Sequence, residues 1–209
     1  MSHDRAAAWS LLAEHTKSQP LRRHALSVEA AMRELARSRG ISDPAELERW
    51  GVVGLLHDFD YELYPTEQDH VFRGMEILRA RGWPEDVIRA VGAHALYTGI
   101  ERVEPVEKAI LAADELAGFV GACALVRPSK RIADVPVESV LKRMKEKAFA
   151  RSVDRSYIVR GADEWGLALP ELVALVLRSQ VPIAAALGLG GAPPPDWPDA
   201  PVPPVPPAP

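Results

Sequence analysis

The sequence predicts an all-α protein, on three observations. Apolar residues recur at three- and four-residue spacing along most of the chain, which is the period of one helix face. Runs of alternating β-branched residues, the mark of half-buried strands, are missing. The interruptions carry residues that stop one helix and start another.

Taken in order, the expected helices cover residues 5 to 17, 20 to 39, 44 to 57, 68 to 81, 84 to 97, 103 to 125, 136 to 148, 154 to 165 and 170 to 188. Gly40 stops the second, and Ser42-Asp43-Pro44 supplies a cap and a first-turn proline for the third. Arg81-Gly82-Trp83-Pro84 repeats that stop and start. The stretch FDYELYPTEQD after the third helix mixes aromatic and acidic residues with Pro65, so it reads as a loop packed over something. Residues 1–189 are read as one domain, with C-terminal helices over 136–188. Residues 190–209, GGAPPPDWPDAPVPPVPPAP, are expected to form a disordered, extended Pro-rich tail. A solvated tail is the preferred reading there over a ligand for a Pro-binding module, because composition is its only signal.

Composition narrows the function. Among 209 residues, 25 Lys and Arg face 29 Asp and Glu, a formal net charge of -4, which argues against a broad basic surface for polymeric nucleic acid. The single cysteine, Cys123, allows no intramolecular disulfide and no thiolate metal cluster, and its Ala-Cys-Ala-Leu setting suits a small core residue. The start MSHDRAAAWS lacks a basic region followed by an apolar run, and the most apolar stretch, Leu172 to Leu189, is broken by Arg178 and Pro182. Neither signal peptide nor membrane association is expected, and a cytoplasmic location is.

Four of the six histidines fall on apolar faces. His24 shares a face with Val28, Ala31, Met32 and Leu35; His70 precedes Gly74, Ile77 and Leu78; His94 follows Val87 and Val91. His57 and Asp58 end an apolar run, and Asp114 sits among Ile110, Leu111, Ala117 and Gly118. Helical neighbours point about 100 degrees apart, so His57 and Asp58 can share an ion only where the helix is ending. An ionised carboxylate in apolar surroundings is costly unless a cation or several donors compensate it. Any one of these histidines alone reads better as a hydrogen-bonded core residue. Together, four imidazoles and two carboxylates directed inward from different segments form a nitrogen and oxygen donor set suited to Mn, Fe, Co, Ni or Zn.

The order H, HD, H, H, D, with the stretches RHALSVEAAMRELA, GLLHDFD, DHVFRGMEILRARGWPEDVIRAVGAHA and EKAILAADELAGF, resembles the HD superfamily of metal-dependent phosphohydrolases. The resemblance implies an HD-domain helical bundle with its metal-site core over 20–125. It implies that His24, His57, Asp58 and Asp114 hold a first metal, and that His70 and His94 complete a second site with Asp58 bridging. One or two divalent ions follow, Mn or Fe first, with Co, Ni, Zn and Mg as alternatives. The chain departs from many relatives, which follow HD with Ile-Gly-Lys where this one reads Phe59-Asp60-Tyr61. With that lysine absent, Asp60 and Glu62 join Asp58 as candidate catalytic groups, for proton transfer or for orienting ligands.

The implied activity is hydrolysis of a phosphomonoester or phosphoanhydride of a nucleotide or other small metabolite by a metal-activated water. Arg127, Lys130 and Arg131 follow the Asp114 helix and are the expected phosphate-binding residues. Lys142, Arg143, Lys145 and Lys147 read better as a solvated face. Two alternatives stand beside this: an HD-fold binuclear iron oxygenase, and a non-catalytic nucleotide- or phosphate-binding module. A homodimer is a further expectation, without a specific sequence signal.

Overall fold

A computed structural model of the chain describes residues 3–198 and 203–204. Its described residues form α1 (Arg5–His15), α2 (Gln19–Ser38), α3 (Pro44–Leu56), α4 (Phe72–Ala80), α5 (Glu85–Gly92), α6 (Pro105–Leu125), α7 (Val137–Met144), α8 (Arg155–Trp165), α9 (Leu169–Gln180) and α10 (Ala184–Leu187). Short 3-10 turns occupy Leu96–Thr98 and Ile132–Asp134. Among the described residues there is no strand, only an isolated bridge between Arg131 and Gly190. None of the helices is long and apolar enough to cross a membrane.

The helix starts follow local chemistry. The Asp43 side chain accepts from the Glu46 N–H while Pro44 occupies the first turn of α3. At α6, Glu107 reaches back to the N–H groups of Val103 and Glu104 at 2.7 and 3.0 Å. Four boundaries differ from the periodicity by four residues or more, one of them the end of the seventh helix, which stops at Met144 rather than 148. The fourth helix begins at Phe72 rather than 68, because residues up to Val71 still turn off the preceding loop. The fifth stops at Gly92, leaving His94 beyond its end. The ninth stops at Gln180, two residues before Pro182, and resumes as α10.

Helices α2 and α6 form the centre, with α3, α8 and α9 packed around them. From Ala25 to Ala36 every residue of α2 is buried, including Val28, Met32 and Leu35, so it has no solvent face there. Burying each such large apolar side chain stabilises the fold by about 1.5–3 kcal/mol. Gly54 makes the α2–α3 crossing tight, since a Cβ there would meet Glu29 Cα at 2.9 Å. The charged Glu29 is completely buried and is held by Arg5 Nε at 2.7 Å and Arg33 Nε at 3.0 Å.

The described part of the Pro-rich segment has no helix or regular strand, as its composition predicts, and residues 199–202 and 205–209 lie outside the described ones. Residues 190–198 nevertheless touch the bundle. The Trp197 ring is buried edge-on against Trp9 at 6.0 Å, and its carbonyl accepts from Gln19 Nε2 at 2.8 Å and Arg22 Nη1 at 2.6 Å. Arg5 donates to the carbonyls of Pro203 and Pro204.

Candidate metal centre

The six residues singled out by the sequence meet at one place, delivered by different mechanisms. His24 comes from α2 and Asp114 from the middle of α6. His57 is the C-cap of α3, and the chain turns immediately afterwards, so His57 and Asp58 point to a common centre without the angular conflict of a continuing helix. His70 sits in the turn before α4, and His94 just past α5.

Two donor groups result, His24, His57, Asp58 and Asp114 in one, and Asp58, His70 and His94 in the other. In the first, Asp114 Oδ1 lies 3.0 Å from His24 Nε2 and 3.3 Å from His57 Nε2. Asp58 Oδ2 lies 3.4 Å from His57 Nε2. In the second, Asp58 Oδ1 lies 3.2 Å from His70 Nε2 and 3.4 Å from His94 Nε2. The two oxygens of Asp58 are thus divided between the groups. Donors each about 2.1 Å from one ion and at right angles stand about 3 Å apart, so this spacing suits a shared divalent cation.

The outer hydrogen bonds aim the rings. His57 Nδ1 donates to the Gly54 carbonyl at 2.8 Å, His94 Nδ1 to the Val91 carbonyl at 2.7 Å, and His70 Nδ1 to Asp60 Oδ1 at 3.0 Å. With Nδ1 carrying the hydrogen, each Nε2 is left as the nitrogen that could ligate a metal. The Nε2 atoms of His24 and His57 are 3.2 Å apart, and those of His70 and His94 3.3 Å apart. Lone pairs that close repel unless a cation or a proton lies between them, which is the donor chemistry a metal satisfies.

Charge reinforces that reading. Burial disfavours a proton on His57, but Asp58 and Asp114 outweigh it and raise its pKa well above the usual imidazole range. Burial also opposes the charge on His70, yet Asp58 and Asp60 carry its pKa up to about 9. Burial would raise Asp58 and Asp114, but the histidines hold both well below the usual carboxylate range. A divalent ion, once bound there, would take the place of those protons.

The other sequence candidates divide differently. Asp60 is fully buried, with Oδ1 on His70 and Oδ2 accepting the Gly74 N–H at 2.9 Å, so it orients the His70 ring and does not line the neighbouring cavity. Glu62 accepts from the N–H groups of Lys17 and Ser18 at 2.9 and 2.8 Å, tying the loop to the start of α2 away from the centre. Beside the candidate metal ligands lies a cavity of about 780 Å³, and Arg127, Lys130 and Arg131 do not line it. α6 runs eleven residues from Asp114 to Leu125, about 16 Å, before that cluster begins. The cluster packs instead on the C-terminal segment, where Ile132 N–H donates to the Leu189 carbonyl at 2.9 Å.

The cavity shows residues that sequence reasoning missed: Tyr61, Tyr97, Tyr157 and Glu115. Glu115 follows Asp114 directly, and burial, together with the Asp114 charge, raises its pKa to about 8. The Tyr97 hydroxyl donates to the His70 carbonyl at 3.1 Å. A turn at Ala150, Ser152 and Val153 closes one side. Arg155 Nη1 grips the Ala150 and Val153 carbonyls, each at 2.7 Å, and holds Ala150 at a φ of +41°, where L residues are uncommon. No local pattern announces these residues, since each depends on which segments the fold brings together.

Among known families, the model described as HD domain matches residues 21–118, a span that contains all six candidate ligands. Neither a curated protein nor a solved structure gives a match.

Proposed function

We propose, from the match of residues 21–118 to the HD domain and the donor groups within that span, that this protein is a metal-dependent phosphohydrolase of a phosphomonoester or phosphoanhydride in a nucleotide or other small metabolite. The observation that carries the reading is Asp58, whose two oxygens face separate histidine groups at the floor of an open cavity. Divalent ions, once bound, supply an activated water and neutralise charge on phosphoryl oxygens. His24, His57, Asp58 and Asp114 would hold one, and Asp58, His70 and His94 the other. Asp60 fixes the His70 ring, and Tyr61, Tyr97 and Tyr157 offer hydroxyls and ring faces to a substrate. Glu115 stands beside the ligands as a proton-handling group in reach of the cavity.

One observation favours a second reading. Among the described residues, the cavity lining includes Asp58, Glu67, Asp114 and Glu115 but no Lys or Arg, so phosphate charge would rest on the metals alone. An HD-fold binuclear iron oxygenase acting on a hydroxylated substrate suits that lining. The test is phosphate release from a panel of phosphoesters by protein loaded with Mn or Fe, run beside oxygen consumption with the iron form. Phosphate release without oxygen uptake supports the first reading. A fully metal-loaded, folded protein that releases no phosphate from any of them contradicts it.

A further inference from the structure

Among the described residues no Lys or Arg lines the metal cavity, yet Arg151 stands between two residues that do, Ala150 and Ser152. Arg151 and Ser152 are both exposed, and neither side chain has an ion pair or hydrogen bond among the described residues. The arginines on either side of them are committed. Arg143 pairs with Glu146 at 3.3 Å and lies over the Phe149 ring at 4.4 Å. Arg155 donates to the carbonyls of Phe149, Ala150 and Val153. The guanidinium left without a partner in this turn is the one beside the cavity.

The turn has a fixed root. Phe149 packs edge-on against Phe119 of α6 at 5.4 Å, and the Arg155 guanidinium lies over the same Phe119 ring at 5.0 Å. α6 also carries Asp114, Glu115, Gly118 and Ala122 of the cavity, so the turn and the metal centre are anchored on one helix. At the tip, Ala150 keeps a φ of +41°, a conformation that a non-glycine residue holds only where its surroundings impose it, and such residues cluster at functional sites. Arg151 has no contact to give up in turning toward the cavity mouth, because exposed side chains without partners exchange rotamers freely.

Phosphoryl oxygens are met best by the planar fork of a guanidinium, and the metals alone leave this cavity without one. We infer that Arg151 is the anion-binding residue of the site: its guanidinium donates to phosphoryl oxygens of the substrate, and Ser152 Oγ adds a further donor from the lining. This role rests on the phosphohydrolase reading for the identity of the anion. It places the substrate-binding cation in the turn between α7 and α8, not in the Arg127–Arg131 cluster.

The test titrates the full chain, loaded with Mn, with methylphosphonate, a phosphomonoester mimic that has no ester bond to break. Arg151→Ala should weaken binding by about tenfold or more, the scale of one charge-assisted hydrogen bond. Arg151→Lys should recover part of the loss, since it restores the charge without the fork. Lys145→Ala, exposed on the same turn and outside the lining, should bind like wild type. Metal content and Tm should be unchanged in all three, and with p-nitrophenyl phosphate as substrate the Arg151→Ala loss should appear in KM. A wild-type protein that binds no methylphosphonate overturns the role of Arg151, and so does a folded, metal-loaded Arg151→Ala protein that binds it as tightly as wild type. Binding that depends on Arg151 in a protein that releases phosphate from no ester sinks the hydrolase reading and leaves this contact standing. Phosphate release with KM unchanged in Arg151→Ala does the reverse.

Discussion

Gly74 donates its backbone N–H to Asp60 Oδ2 at 2.9 Å, and a Cβ on Gly74 would stand 2.8 Å from the Asp60 carboxyl carbon. The glycine is therefore part of the metal centre at one remove, because Asp60 in turn fixes His70. Gly74→Ala should push the carboxylate off His70 and weaken the group formed by Asp58, His70 and His94 by about 10–100-fold in metal affinity. The group containing His24 and Asp114 should keep its ion. Calorimetric metal titration, resolving a weak from a tight event, checks this; two unchanged events would contradict it.

His57→Ala and Asp58→Ala should remove bound metal and activity together. Lys130→Ala, at a residue outside the cavity, should leave metal content unchanged and kcat/KM within about twofold of wild type. Elemental analysis and steady-state kinetics on the three variants separate ligands from bystanders. A large fall in kcat/KM for Lys130→Ala would restore the Arg127–Arg131 cluster to the substrate path.

The histidines make the stability of the metal-free protein depend on pH. His70 has a folded-state pKa of about 9 against an ordinary 6.5, so the folded form binds its proton more tightly than the unfolded form. That stabilisation is complete below pH 6.5 and disappears as pH rises through 9. His57, raised in the same direction, adds to it. The Tm of the metal-free protein should therefore fall between pH 6.5 and 9.5, while loading with metal at pH 7 should release protons to a dilute indicator. A Tm that rises over that interval would contradict the assignment.

Trp197→Ala tests whether the Pro-rich segment belongs to the fold. The ring is buried against Trp9, so its loss should destabilise the protein by about 3 kcal/mol in urea unfolding. An unchanged midpoint would show that the segment contributes nothing.

The all-helical architecture and the convergence of the six candidate ligands were legible in the sequence because both express themselves as side chains on apolar faces. His70 and His94 could be picked out even though each lies just outside a helix, since one extra turn preserves the direction of a face. What could not be read was the direction in which elements carry their ends. Arg127 follows Asp114 closely in sequence, but a continuous helix carries it away from the centre. The roles of Asp60 and Glu62, side by side in one loop, depend on neighbours distant in sequence: Gly74 for one, Lys17 and Ser18 for the other. Tyr97, Tyr157 and the turn held by Arg155 are assembled only by packing. Trp197 looked solvated because composition does not reveal the waiting Trp9 face.

The division of Asp58 between two histidine groups is most directly tested by counting metal in the purified chain after reconstitution with Mn or Fe, using elemental analysis with an independent protein concentration. The expected result is two ions per chain for wild type and a loss of both in a folded Asp58→Ala variant. A folded wild-type protein that retains no ion after reconstitution would contradict the account.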